Sequence, residues 1–216
     1  MHRITMQRHA RGFTLIEIMV AIVILSILLA VGIPSMRGWL TSTRATSAAE
    51  FYAEGMRMAR SEALKRNVAS RLVLTTNTSN SQQDWQVDIC VPTSDTPCNA
   101  GSGTWSTATQ ALTATGTTDF QSVARSAKNL PGTGQMVVSV VPATATAVYF
   151  TPVGWVNGNV ANNVTQIVIA PPTGNDTAFP KTAVYITGGG SLIKCNPDST
   201  AMSVGAKDSR KCPTTT

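Results

Sequence analysis

Histidine is nearly missing from this chain: of 216 residues only His2 and His9 carry an imidazole, and both precede the first long apolar run. Everything beyond residue 9 therefore lacks the side chain on which most general bases, Ser–His triads and imidazole zinc sites depend. Charge is scarce as well, with Asp, Glu, Lys and Arg together at 13%. There is no P-loop, no Gly-x-Gly-x-x-Gly after a strand and no Cys-x-x-Cys. The triplet Gly188-Gly189-Gly190 runs on into Ser-Leu-Ile, not Lys-Ser/Thr, so it is a poor phosphate cradle. These absences argue against an enzyme, and they imply neither a cofactor nor a metal.

What is plentiful is Thr, Ser, Ala, Val and Gly, the composition of a β-rich domain held outside the cytoplasm. The length suits one ordinary domain plus an anchor. The formal net charge is +6, but Arg3, Arg8 and Arg11 precede the apolar run; without those three, 14 basic residues face 11 acidic ones, or +3. That bias permits an anionic partner without demanding one.

The apolar run, Phe13 to Ile33, is 21 residues long and holds one acid, Glu17. A carboxylate at that depth costs roughly 2.5–3.5 kcal/mol on insertion scales. As a secretory signal the run is too long and no Ala-x-Ala site follows. As a membrane anchor it has the needed length of about 20 residues. The arginines before it direct the N-terminus to the cytoplasm and the rest of the chain outward. Neither reading accounts for Glu17.

The stretch RGFTLIEIMVAIVILSILLAVGIP resembles the N-terminus of type IV pilins and type II secretion pseudopilins. It has the family's basic leader, then Gly12, Phe13, Thr14, Leu15, Ile16 and Glu17, an apolar helix, and Pro34 where the family usually carries a proline. The resemblance implies that a prepilin peptidase cuts between Gly12 and Phe13 and N-methylates Phe13. It also implies that Glu17 pairs with the new α-amino group of a neighbouring subunit during assembly. A buried charge compensated in this way is far less costly than one left alone.

Four segments are expected: a leader over residues 1–12, a membrane and assembly half of one helix over 13–34, an amphipathic half over 35–68, and a β-rich periplasmic head over 69–216. In the second half, Ala45, Ala48, Ala49, Tyr52, Met56, Ala59 and Ala63 recur at three- and four-residue spacing and form one apolar stripe. Gly32 and Pro34, with Gly38, interrupt the pattern and predict a kink or a locally melted turn. The seven basic residues between Arg37 and Arg71, against three acids, read as a solvated helix face. SRLVLTT, DWQVDICV, QMVVSVV, AVYFT, TQIVIA, AVYIT and SLIKC read as short strands, and residues 99–131 as a surface insertion with one short strand near Phe120 to Ala124. The fold class is α+β: a long N-terminal helix packed on a mostly antiparallel head.

Cys90, Cys98, Cys195 and Cys212 all lie in the exported part, where an even count favours disulfides. Three pairings are open; joining sequence neighbours is the simplest and would pin the C-terminal tail to the last strand. The order of the head resembles, more loosely, the FimT/GspH group of minor pilins and minor pseudopilins. AVYFTPVGWVNG, TQIVIA and AVYITGGGSLIKC stand for its closing strands, although Ser191 occupies the place of an arginine and only Lys194 keeps the basic charge there. The resemblance implies a minor pilin of FimT type, with other pilins, the prepilin peptidase and the inner membrane as partners. A GspH-like pseudopilin of a type II secretion system is the alternative. Some FimT-like pilins bind DNA through basic C-terminal residues. Here Lys194, Lys207, Arg210 and Lys211 are the candidates for non-specific contacts to double-stranded DNA.

Overall fold

A helix lined with alanine can approach a sheet more closely than one lined with leucine, and this stripe is mostly alanine. In the structure, a computed structural model that describes residues 12–92, 98–99, 101–114, 116, 118–197 and 211–213, α1 runs from Leu15 to Arg66. Its helical backbone is continuous through Gly32 and Pro34, so the locally melted turn is not found. Proline removes one donor from the ladder, and the helix absorbs that loss. The chain divides into two compact units, Met1–Leu40 and Thr41–Thr216.

In the second unit every residue of the stripe is buried: Ala45, Ala48, Ala49, Tyr52, Met56, Ala59 and Ala63 expose 2% or less, as does Ala53. Opposite them lies a five-stranded antiparallel sheet built from β1 (Ala69–Thr76), β2 (Gln83–Val91), β3 (Thr104–Trp105), β4 (Val123–Arg125) and, after β5, β6 (Ala147–Phe150). The second sheet has the order β5 (Val137–Val141), β7 (Gln166–Ala170), β8 (Thr182–Ile186), β9 (Leu192–Cys195), also antiparallel throughout. A 3-10 turn, Ala127–Asn129, is capped by Ser126.

The closeness of helix to sheet shows at Gly55, where a Cβ would lie 2.8 Å from Trp85 and 2.9 Å from Leu72. Two hydrogen bonds tie the layers: the Tyr52 hydroxyl donates to the Gln83 carbonyl (3.0 Å) and the Ser70 hydroxyl to the Ala59 carbonyl (2.6 Å). Burial pushes the Tyr52 phenol well above its ordinary range, so it stays a donor. Trp85, Val87 and Ile89 alternate inward from β2, as a strand with one buried face requires. The core cluster contains no residue before Ala45. Residues 41–216 therefore hold a complete hydrophobic core of their own.

Candidate functional site

Two regions carry the residues singled out by sequence: the start of α1 and the end of the chain. At the start, Thr14 supplies the cap. Its side-chain oxygen accepts from the Glu17 N–H at 3.3 Å, and its carbonyl accepts from Glu17 and Ile18 at 3.1 and 3.3 Å. Thr-x-x-Glu ahead of an apolar run is the signature of a capped helix start, the local signal by which this cap could have been found. The cap fixes where the helix begins, two residues after Phe13.

Beyond the cap the helix is apolar on all sides and uncovered. Phe13 exposes 80% of its surface and Leu15 78%, and Ile18 through Leu29 remain about half exposed or more. Such a surface greatly exceeds the scattered single apolar residues normal on a soluble domain. The Glu17 carboxylate, in the midst of it, has no partner among the described residues. Also among these, no helix is long and apolar enough to cross a membrane.

At the other end the pairing of cysteines is by sequence neighbour, Cys90 with Cys98 and Cys195 with Cys212. The second bridge seats Lys211 beside β9, where it pairs with Asn196 in parallel; the Cys212 N–H donates to the Asn196 carbonyl (3.1 Å). Lys211 is exposed there. Lys207 and Arg210 lie outside the described residues. Lys194 does not join the tail cations: it points from β9 to α1 and pairs with Glu50, which Arg57 also meets at 3.3 Å. The hydrogen bond from Lys194 holds the Glu50 carboxyl below the usual carboxylate range.

The arginines read as a solvated helix face have specific partners. Arg60 donates from Nε to the Gly154 carbonyl (3.1 Å) and from Nη2 to the Gly189 carbonyl (3.2 Å). It thereby clamps two turns against the helix. Arg66 is buried between Glu62, the Thr118 carbonyl and the Phe120 ring. Arg71 bonds Asp88 (2.8 Å) and stacks on Trp105. The triple glycine, no phosphate cradle, lets a turn come close: a Cβ on Gly190 would sit 2.1 Å from the Gly154 oxygen. Both glycines of the clamp, Gly154 and Gly190, have positive φ, which glycine adopts without strain; their arginine partner had no signal in the sequence.

A capped apolar helix with one acid, leading into an alanine-faced second half under a disulfide-bonded β head, defines the class of pilins and pseudopilins. Residues 7–33 match the prokaryotic N-terminal methylation motif, and residues 48–197 match the family described as Type II transport protein GspH. The chain belongs to that GspH family. It is also similar, at 14% identity and a TM-score of 0.40, to the crystal structure of the type IV minor pilin FimU of Pseudomonas aeruginosa PAO1, over 70% of this chain and 87% of that one. Among curated proteins none matches.

Proposed function

We propose that this chain is a minor type IV pilin of FimT type, with a structural and not a catalytic role. The observation that carries the reading is the uncovered apolar helix with Glu17, unpartnered among the described residues, near its capped start. That surface needs lipid around it before assembly and neighbouring helices afterwards. In this reading residues 13–34 cross the inner membrane once and the head lies in the periplasm. The prepilin peptidase cuts after Gly12 and methylates Phe13, and the subunit then enters a filament near its tip. Gly32 and Pro34, the latter without a backbone N–H, mark the weak point of the membrane half, where the helix can kink. Mass spectrometry of the protein in sheared surface filaments tests this: the expected N-terminal peptide begins at N-methylated Phe13, and its absence from such filaments would overturn the pilus assignment.

A second reading is favoured by the GspH match over residues 48–197: a minor pseudopilin that promotes protein export. Deletion of the gene separates the two. Loss of surface filaments or of DNA uptake with secretion intact supports the pilin, and loss of secreted enzymes with filaments intact supports the pseudopilin.

The DNA-binding part of the proposal now rests on Lys207, Arg210 and Lys211, since Lys194 is held by Glu50. Three such cations near a disulfide neutralise few phosphates, so binding is weak and strongly salt-dependent. A mobility shift of duplex DNA by the head, abolished when all three become Gln, is the expected result. Binding that persists in the triple variant, or no binding in either protein, removes the DNA role.

A further inference from the structure

The unit Thr41–Thr216 leaves few large apolar side chains uncovered. Among its described residues these are Leu64, Val153, Trp155 and Ile193, and three of the four meet at one place. The turn that carries Val153 and Trp155 is seated on α1 at Gly154, where a Cβ would lie 2.9–3.1 Å from three carbons of Leu64. Leu64 exposes 51% of its surface, Val153 59% and Trp155 61%. A scattered apolar residue needs no explanation, whereas a cluster rimmed by polar groups marks an interaction surface. Tryptophan and arginine are the residues that most often dominate such surfaces.

Beside this cluster a cavity of about 370 Å³ opens between α1 and the start of β9. Its polar side chains are Arg57, Arg60, Ser61 and Ser191, and Leu64 and Leu192 are its apolar walls. No described acid lines it.

The two guanidinium groups differ in what they have left to donate. Arg60 spends Nε and Nη2 on the Gly154 and Gly189 carbonyls. That grip holds the group in place and leaves Nη1 without a partner among the described residues. Arg57 meets Glu50 through Nη1 alone, at 3.3 Å, and Glu50 is already paired with Lys194. Nε and Nη2 of Arg57 have no partner among the described residues. Those two nitrogens form one edge of the guanidinium, the fork that takes a carboxylate bidentately. Lys194, Arg57 and Arg60 outnumber by two the one acid that any of them meets.

We propose that this cavity takes an Asp or Glu side chain of another polypeptide. The carboxylate is bound by the free edge of Arg57 and by Arg60 Nη1, and an apolar neighbour of that acid rests on Leu64, Val153 and Trp155. Charge complementarity selects the acid, and the exposed cluster selects what stands next to it. Shape selects a protein over a nucleic acid. A concave pocket walled by leucines receives a single side chain, whereas a duplex presents a broad row of phosphates and binds through many cations, with nothing to gain from Val153. The inference concerns the head and does not depend on whether the filament is a pilus or a pseudopilus.

The test uses residues 41–216, which enclose their own core, and a displayed library of short random peptides as the probe. Selected peptides are expected to carry Asp or Glu beside an apolar residue, and the matching amide at that position should weaken them about tenfold or more. Arg57→Gln should weaken them as much. Arg125→Gln removes a charge of similar exposure outside the cavity and should leave binding unchanged. The indole N–H resonance of Trp155, identified by its loss in Trp155→Phe, should shift when peptide is added. Should Arg57→Gln misfold, Ser191→Phe fills the cavity without removing a charge and should also abolish binding. An empty selection, peptides indifferent to Arg57→Gln and to Ser191→Phe, or equal losses in Arg57→Gln and Arg125→Gln would each overturn the proposal. So would duplex DNA binding that Arg57→Gln removes, because the pocket would then be a phosphate contact.

Discussion

Replacing Gly190 by alanine tests the Arg60 clamp most directly. Gly190 has φ +75°, a conformation that costs an alanine roughly 1–2 kcal/mol. Its new Cβ would also lie 2.1 Å from the Gly154 carbonyl oxygen and 2.9 Å from Arg60 Nε. The nearest atom is backbone and cannot swing aside, so the two turns separate. Arg60 then loses its bonds to Gly154 and Gly189, and hydrogen bonds from a charged donor are worth about 1.5–3 kcal/mol each when well shielded. Because this clamp is partly solvated, the lower end of that range applies to the pair together, for a combined loss of about 3 kcal/mol. In a domain of this size that lowers the melting temperature by about 6–12 °C. Thermal unfolding of residues 41–216 by circular dichroism measures it. Gly188→Ala is the control, since a Cβ there meets nothing within 4 Å and should leave the midpoint unchanged. Arg60→Met combined with Gly190→Ala should cost about 1 kcal/mol less than the sum of the two single changes, because both break one contact. A midpoint for Gly190→Ala within about 2 °C of the parent, well below the range above, would refute the reasoning.

Opening the Cys195–Cys212 bridge, with a sequence separation of 17, by double substitution to Ser should destabilise the head by about 3 kcal/mol, read as a lower urea midpoint. Glu50 has its pKa depressed in the folded head, so its pair with Lys194 stabilises above the unfolded carboxylate pKa and that stability is lost as pH falls through the folded value. Glu50→Gln should therefore be less stable than the parent near pH 7, by under about 1 kcal/mol for so exposed a pair, and the gap should close below about pH 4. Glu17→Ala should leave cleavage and methylation of the protein intact while removing it from sheared filaments, as a blot of membrane and filament fractions would reveal.

Local patterns were readable and long-range ones were not. The alanine stripe of α1 was plain because each of its members is buried in the same layer, and β1, β2 and β5 to β9 follow the apolar runs closely. β3 is two residues long and β4 three, too short for any periodicity; the short strand expected near Phe120 to Ala124 overlaps β4 at Val123 and Ala124 only. The division into two sheets depends on registers such as Ser70 opposite both Ile89 and Phe150, which no local window contains. Lys194 illustrates the limit at the candidate site. Its neighbours in sequence suggested a cationic tail, yet its partner, Glu50, lies 144 positions away. The cap at the helix start, by contrast, is purely local, since Thr14 and Glu17 are three residues apart, although in the sequence those residues stood out only as part of a family motif.

The alanine face of α1 also has a mechanical meaning. Alanine has no side-chain torsion to turn, and Gly55 sits almost against the Trp85 ring, so the joint between helix and sheet contains little slack. Tyr52 and Ser70 pin it at two points along its length. A pull along the helix axis must shear the whole row at once and cannot peel it residue by residue. The second half of α1 is in that sense a rigid handle, through which load on the head passes to whatever holds the first half.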